Sequence, residues 1–449
     1  MRAGIRAVAH AHPRVLEVCE GSMRRFIRIG LCVLAAPGAM LAAPAAAQTG
    51  SPPITRVSLD QAVQMAVARN QALQAQRLAV DAARADEITA GLKPNIGVSF
   101  SADGFTPFSP RQITWDFLKN DTSYSTSASY LFERGGKREN RIAVAKATTD
   151  VAEKTAQDAE RTLRFQTASA FVQVLLAKSA LDLAQQNLKS FGDVVAVNQQ
   201  RVQSGDLAEA EFYRIHLQQL QFETDVSAAE VALVQARANL RQFLGFDMVA
   251  EDYEVVGDLT YTPQAVDVET LKQQALQSRA DYLAAQSSVT LAQNTLNLER
   301  SNRARDVSGD LDYSHTGPDN TMGLGVSFDL PVHDRNQGNI ARSQVLVRQA
   351  NEQELAARYL VMTDVTNAYA AWQTSQKVVS LYASGYLTQA QQSLDISRYV
   401  YQRGAGSLLD LLDAERTYRD TQLGYRQALA AYMTSVQQLN FAVGKQVMP

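Results

Sequence analysis

Two hydrophobic periods take turns along this chain. Within residues 137–203, Ala170, Val174, Ala177, Leu181, Ala184, Leu188, Phe191 and Val195 recur at spacings of four and three. A heptad sustained this long predicts one continuous helix packed in a coiled coil. At 1.5 Å per residue such a helix is about 100 Å long. Ser204-Gly205-Asp206 interrupts the pattern, which resumes through Ile215, Gln219, Phe222, Val226, Ala229, Leu233, Ala236, Leu240 and Phe243. The pair reads as a long antiparallel hairpin whose second arm ends near Leu244. Upstream, an Ala- and Gln-rich helix is expected over 59–92, after a Pro52-Pro53 tether and before Pro94. Period two then takes over. Ile96, Val98 and Phe100 oppose Asn95, Gly97, Ser99 and Ser101. Beyond a loop at 103–122 containing Phe105, Pro107, Phe108, Pro110 and Trp115, a second run sets Tyr124, Thr126, Ala128, Tyr130 and Phe132 against Ser123, Ser125, Ser127 and Ser129. These are two strands, each with one apolar and one small polar face.

The same order then recurs. Ile142 pairs with Ile340 at a shift of 198, Gly205 with Gly404 and Leu240 with Leu439 at 199, and Asn70 with Arg279 at 209. A period near 200 is too long for a solenoid. It divides the chain into one unit at 48–267 and a second at 268–449. The second is expected to hold a helix over 268–302, strands over 306–315 and 321–330, a long helix over 335–403, a break at Gly404-Ala405-Gly406 and a return helix over 408–445. Tyr418, Tyr425 and Tyr432, seven residues apart, read as a packing seam.

The four strands decide the class. Their small polar set (the serines and glycines, with Asp306, Asp310, Asp312 and Asp329) cannot form a dry core, whereas Met322, Leu324, Val326, Phe328 and Leu330 suit lipid. Strands about ten residues long, apolar outside and polar inside, fit a transmembrane barrel around water. Four strands cannot close one, and open edges are excluded from lipid, so the barrel must be shared among protomers. A four-stranded soluble sheet packed on helices is the alternative. The expected fold is mainly α with a small transmembrane β part.

Composition narrows the chemistry. Met23-Arg24-Arg25, the apolar stretch from Ile29 to Leu41 and Ala45-Ala46-Ala47 form a secretory leader over 1–47, pointing to Met23 as the true start. No later run of about twenty apolar residues is evident. Cys32 follows Leu31, a poor context for acylation, so no lipid anchor is expected. Cys19 and Cys32 both leave with the leader, which removes thiol chemistry and thiolate metal sites. Residues 48–449 carry 37 basic and 44 acidic side chains, a net of −7 (37 − 44), which disfavours nucleic acid as a partner. The only histidines left are His216, His315 and His333, without helical pairing, so neither a metal site nor a cofactor is expected. Gly135-Gly136-Lys137 sits where a phosphate loop would, but Leu131 and Arg138 occupy the positions a Walker motif gives to Gly and Ser/Thr.

The leader, the duplicated helix–strand–strand–helix–helix unit and the Gly-containing breaks resemble the TolC family of outer-membrane efflux ducts over essentially the whole mature chain. Glu133-Arg134-Gly135-Gly136-Lys137-Arg138 and Asp334-Arg335-Asn336-Gln337-Gly338-Asn339-Ile340 resemble its cobalt–zinc–cadmium resistance branch. The resemblance implies TolC-like duplicated α-hairpins and a homotrimer with a twelve-stranded barrel in the outer membrane of a Gram-negative bacterium. It further implies a periplasmic helical tunnel fed by an inner-membrane RND pump through a membrane-fusion adaptor. Asp410 and Asp413 fall on the family's paired gate aspartates and Tyr401 near a gate tyrosine. The family's gate arginine position holds Gly406, a departure that takes away that tyrosine's usual partner. Glu211 stands where the first copy matches Asp410.

Each site has a bland reading as well. Asp410 and Asp413 share a helix face, and three copies would gather six carboxylates around one axis; Ser407-x-x-Asp410 also reads as a helix cap. Gly205, Asp206, Leu207, Gly404, Ala405 and Gly406 are simple turns or, with the family in mind, adaptor-docking tips. Gly135, Gly136, Lys137, Arg138, Arg335, Asn336 and Gly338 form strand-to-helix turns at the membrane interface, their basic residues available to lipid phosphate. With no nucleophile or positioned histidine beside the acids, no enzyme is expected. The expectation is a passive exit duct, for divalent metal cations or alternatively for drugs, solvents or secreted protein. A non-conducting coiled-coil surface protein is the reading from another class.

Overall fold

The computed structural model describes residues 54–104 and 114–448. The leader at 1–47, the Pro52-Pro53 tether and Phe105, Pro107, Phe108 and Pro110 of the loop lie outside the described residues. The first run of elements is β1 (Ile54–Val57), α1 (Leu59–Arg69), α2 (Gln71–Gly91), β2 (Gly97–Asp103), β3 (Ser123–Phe132), α3 (Lys137–Gln203), α4 (Glu209–Leu244) and β4 (Val249–Val255). The second is α5 (Val268–Ser278), α6 (Ala280–Ser301), β5 (Val307–Thr316), β6 (Asp319–Phe328), α7 (Gln337–Leu381), α8 (Leu387–Gln402) and α9 (Leu408–Val443). The 67 residues of α3 form one helix with the bounds its heptad predicts.

Three expected helices are broken, each for a local reason. The helix expected over 59–92 divides at Asn70, whose ψ of 123° is extended and whose side chain accepts from Leu73 N at 3.2 Å. An Asn side chain that caps the next helix competes with continuing the previous one. The helix expected over 268–302 divides at Arg279, also extended (ψ 120°). These are the two residues that the sequence repeat pairs. The helix expected over 335–403 starts at Gln337 and is interrupted by a π turn at Tyr382–Tyr386.

The four-stranded sheet runs β2-β3-β5-β6, antiparallel throughout. Its register places Ser127 between Ser99 and Asp312, Ser129 between Gly97 and Asp310, and Gly323 and Gly325 opposite Asp312 and Asp310. Ser99 and Ser101 bond Ser127 and Ser125 through their hydroxyls at 2.7 Å. The other face carries Val98, Phe100, Met322, Leu324, Val326 and Phe328, all exposed, with Leu324 at 89%. Leu330 lies beyond the end of β6. Asp306 does not join the polar strand face. It precedes β5, accepts from Arg134 N at 2.9 Å and pairs with Lys137 Nζ at 2.7 Å.

Two apolar clusters stabilise the upper helices. One joins α5, α7 and α9 through Leu271, Val361, Val365, Trp372, Tyr432, Val436 and Leu439. The other joins α3 and α4 to β1 and β4 through Phe171, Val174, Leu240, Val57, Tyr253 and Val255, and Leu259 and Met433 border both. Each such side chain contributes about 1.5–3 kcal/mol by leaving water. The parallel pair β1–β4 was not expected from the sequence; its partners are nearly two hundred residues apart. The α3 helix does contain an 18-residue window of mean hydropathy 1.2, contrary to the expectation of no apolar run. That window is 44% buried, and α3 packs against α2, α4, α6 and α9. Its apolarity serves the core.

Candidate gate at the helical tips

Both hairpins turn by the same backbone device. At the first tip Gly205 N donates to Val202 O and Asp206 N to Arg201 O; at the second Gly404 N donates to Tyr401 O and Ala405 N to Val400 O. This is the Schellman arrangement, which needs a left-handed residue, and Gly205 and Gly404 have φ of 81° and 71°. Past the turn, where the return helix begins, the tips differ. Ser407 caps α9, its hydroxyl accepting from Asp410 N at 3.1 Å and donating to the Asp410 carboxylate at 2.8 Å. Ala208, at the start of α4, makes no side-chain cap.

The two acids of the second tip are exposed, and within one chain each already has a partner. Asp410 holds the cap, and Asp413 pairs with Arg416 at 2.8 Å, both side chains well hydrated. Tyr401 is buried. Its hydroxyl donates to Asn198 Oδ1 at 2.8 Å, and Arg201 lies 5.5 Å from its ring centre. Burial pushes the Tyr401 phenol above its ordinary range, against the Arg201 charge; Glu211 adds to the rise and the Asn198 bond opposes it. Leu394, Leu411 and Ala414 complete the packing around it. A side chain at Gly406 would meet Val400 Cγ1 at 3.0 Å and Tyr401 N at 3.3 Å, so the tip is tight where the resemblance puts an arginine. A cation still reaches the tyrosine, from Arg201 on α3.

Asn198 was not singled out from the sequence, although a signal existed. It stands seven residues after Phe191, on the heptad seam, and is 1% exposed. A cavity of about 310 Å³ opens beside it, lined by Asp193, Asn198, Arg201, Arg398 and Tyr401 among others. Arg398 reaches Glu415 at 2.7 Å across the α8–α9 pair.

Two of the cations at the strand-to-helix turns bond within the chain. Lys137 pairs with Asp306, and Arg138 Nε donates to Gly91 O at 2.6 Å. Arg335 is exposed and bonds Pro331 O at 3.2 Å. Gly136 and Asn336 both take the left-handed conformation before their helices, at φ 70° and 60°. Asn336 is secured there by bonds to Glu299 O and its carboxylate. The backbone thus matches these turns at a shift of 200, two residues from the 198 of the sequence repeat. Gly135 precedes the first turn, and Gly338 lies inside the first turn of α7.

A sheet with one exposed apolar face, joined to two long hairpins with matched tips, is the subunit of a TolC-like outer-membrane channel. The chain belongs to the outer membrane efflux protein family, whose sequence pattern matches residues 62–246 and 271–445. It is 26% identical to the cobalt-zinc-cadmium resistance protein CzcC of Cupriavidus metallidurans over 315 residues, 69% of this chain and 75% of that protein. It is 27% identical to the outer membrane protein TolC of Salmonella enteritidis over 314 residues, 65% of this chain and 62% of TolC. The crystal structure of CusC superposes with a TM-score of 0.72 at 19% identity, covering 86% of this chain and 92% of CusC.

Proposed function

We propose that three copies of this chain form a passive exit duct that spans the outer membrane and carries divalent metal cations from the periplasm to the exterior. In this reading the mature chain is two structural repeats, 48–267 and 268–449, behind a removed leader at 1–47. The observation that carries the reading is the sheet. Its exposed face is apolar, its other face is small and polar, and among the described residues β2 and β6 each leave one edge unpaired. Such edges are not tolerated in lipid, so a further copy must cover them. The helices support the same assembly. Exposed Tyr213, Leu217, Leu220, Val231 and Val234 follow the heptad spacing along α4, and Val378, Leu381, Ile396 and Tyr399 stand exposed on α7 and α8. Neighbouring copies would bury these two stripes against each other.

Asp410, Asp413 and Tyr401 form the periplasmic gate in this reading, and the Gly205-Asp206-Leu207 and Gly404-Ala405-Gly406 turns receive a membrane-fusion adaptor that links the duct to an inner-membrane RND pump. The duct does no chemistry; the pump supplies the energy. The choice of metal cargo rests on the likeness to CzcC, and the Asp310 and Asp312 carboxylates on the polar strand face suit cations through their field.

Single-channel recording tests the proposal. Wild-type protein reconstituted in planar bilayers should conduct rarely, and Asp410→Ala with Asp413→Ala should conduct more. A protein that never conducts in either form sinks the duct; equal conductance sinks the gate. Growth of a deletion strain on zinc, cobalt and cadmium, against a panel of drugs, decides the cargo.

A further inference from the structure

The lower part of α3 turns one face toward α8 without filling the space between them. Asp193, Val194, Val197, Asn198 and Arg201 are three or four residues apart, or adjacent, and so share that face. Opposite them stand Arg398 and Tyr401 of α8 and Leu411 of α9, around the cavity of about 310 Å³. That volume falls at the lower end of the range of small-molecule sites. The inner wall is apolar and aromatic: Tyr401 and Leu411 are buried and Val194 is half-buried. Val197 and Asp193 are exposed and mark the mouth.

The polar groups on the wall are unequally satisfied. Asn198 is fully used, accepting from Tyr401 and donating to Val194 O. Arg398 donates to Glu415 at 2.7 Å, but its Nε is shielded from water and has no partner. Among the described residues the Arg201 side chain makes no ion pair or hydrogen bond; it lies over the Tyr401 ring at 5.5 Å. A cation in the last turn of α3 is favoured by the helix dipole. The dipole accounts for the charge and leaves its N–H donors unused.

The sequence repeat does not reproduce this pair of cations. At the shift of 199 the partners of Arg201 and Arg398 are Val400 and Gln199. The two guanidiniums therefore belong to the junction of α3 with α8 and have no counterpart at the other junction of the repeat. The unmet groups are donors on cations. A guanidinium fork matches a carboxylate or sulfonate in both charge and geometry.

We propose that this cavity binds a small organic monoanion. Its acid group lies on Arg201 and Arg398, and its apolar body lies against Val194, Tyr401 and Leu411. Asp193 at the mouth repels a second negative charge, so the site favours a monoanion over a dianion. The cavity adjoins the Tyr401–Asn198 contact, so occupancy would make the duct answer to organic acids. That consequence rests on the duct reading, whereas binding requires only the fold.

The probe is 2-naphthoate, with neutral 2-naphthamide of nearly the same shape as its control. Binding is measured by titration calorimetry on the full mature protein held in amphipol, which avoids partitioning into detergent micelles. One 2-naphthoate per chain is expected, bound about tenfold or more tightly than the amide. Arg201→Gln should remove that advantage. Val197→Trp should block binding by filling the mouth while both cations stay in place. Arg214→Gln, at an exposed arginine of α4 outside the cavity, should leave the affinity unchanged. Circular dichroism checks the fold of each variant, and Arg201→Gln carries the test if Val197→Trp fails to fold. The site is overturned by an absence of binding, by equal affinity for acid and amide, or by an Arg201→Gln protein that binds as wild type does. An Arg214→Gln protein that loses as much as Arg201→Gln also overturns it, since attraction would then come from the general surface charge. Conductance reports on the duct separately: a protein that binds 2-naphthoate and never conducts keeps the site and sinks the duct. A conducting protein that does not bind it sinks the site alone.

Discussion

The Tyr401 hydroxyl donates to the side-chain oxygen of Asn198 at 2.8 Å, and both residues are buried. The bond crosses from α8 to α3, between the two sequence repeats. The Asn198 amide nitrogen is itself occupied by Val194 O at 2.8 Å, so loss of the hydroxyl leaves one buried acceptor unpaired. Tyr401→Phe should therefore cost about 1–3 kcal/mol. Replacing both partners, with Tyr401→Phe and Asn198→Leu, should recover part of that stability because no orphaned acceptor remains. Chemical denaturation of the solubilised protein measures the cycle. Open probability in bilayers should rise in the single variant, and an unchanged value would show that the contact is packing alone.

Asp410 belongs to the α9 cap and, in the proposed duct, to the gate, and substitution can separate the two. Ser407→Ala removes the cap and should lower stability by about 1 kcal/mol, with little effect on conductance. Asp410→Asn and Asp413→Asn keep hydrogen-bonding capacity and remove charge, so conductance and cation preference should change while the melting temperature holds. If Ser407→Ala alone opens the channel, Asp410 acts by shaping the helix start and its charge is incidental.

Arg279 shows how an ion pair at a helix break sets the pH response. It is 2% exposed and reaches Asp281 at 2.5 Å, Asp364 at 2.9 Å and Ala442 O at 3.3 Å. Burial pushes the Asp281 carboxyl up, but the Arg279 bond and charge, helped by Arg161, outweigh it and hold the carboxyl below its ordinary range. A depressed folded value means the unfolded chain binds more protons in the window between the two values. The stabilisation is therefore present above the ordinary carboxylate range and is lost as pH falls through the folded value. Arg279→Met should cost about 2–3 kcal/mol near neutrality, less than a fully buried pair because both aspartates keep some water. The gap to wild type should narrow as pH falls below the ordinary carboxylate range. A gap constant with pH would mean that packing accounts for the loss.

Much of this architecture is legible locally. The heptad fixes α3 and α4, the period-two runs fix β3 and the two faces of the sheet, and Gly205 and Gly404 mark the tips. The features that escaped depend on partners distant in sequence. Arg279 reads as an ordinary helix residue until Asp364 and Ala442 are folded against it. Asp306 alternates in phase with the strand serines, yet its carboxylate belongs to Lys137. A lone Gly385 in a helical pattern is usually tolerated, and its left-handed conformation is visible only in the backbone. The β1–β4 pair needs two short runs to find each other across most of the first repeat.

The two sheet faces make opposite predictions for one substitution. Leu324 and Asp312 sit on adjacent strands, one position apart in register, with Leu324 exposed on the apolar face and Asp312 on the polar one opposite Gly323. If the apolar face meets lipid, Leu324→Lys should cost about 2–4 kcal/mol at the bilayer centre, and less membrane-inserted oligomer should be recovered. Asp312→Lys faces water in the lumen, where Gly323 leaves room for a longer side chain, so assembly should proceed. The added positive charges should reduce the cation preference of the conducting pore and leave its oligomer intact on native gels. Reversal potentials in a salt gradient measure the first effect and heat-modifiable migration the second. If instead Leu324→Lys assembles normally while Asp312→Lys does not, the faces are reversed and the sheet is not a segment of an outer-membrane barrel.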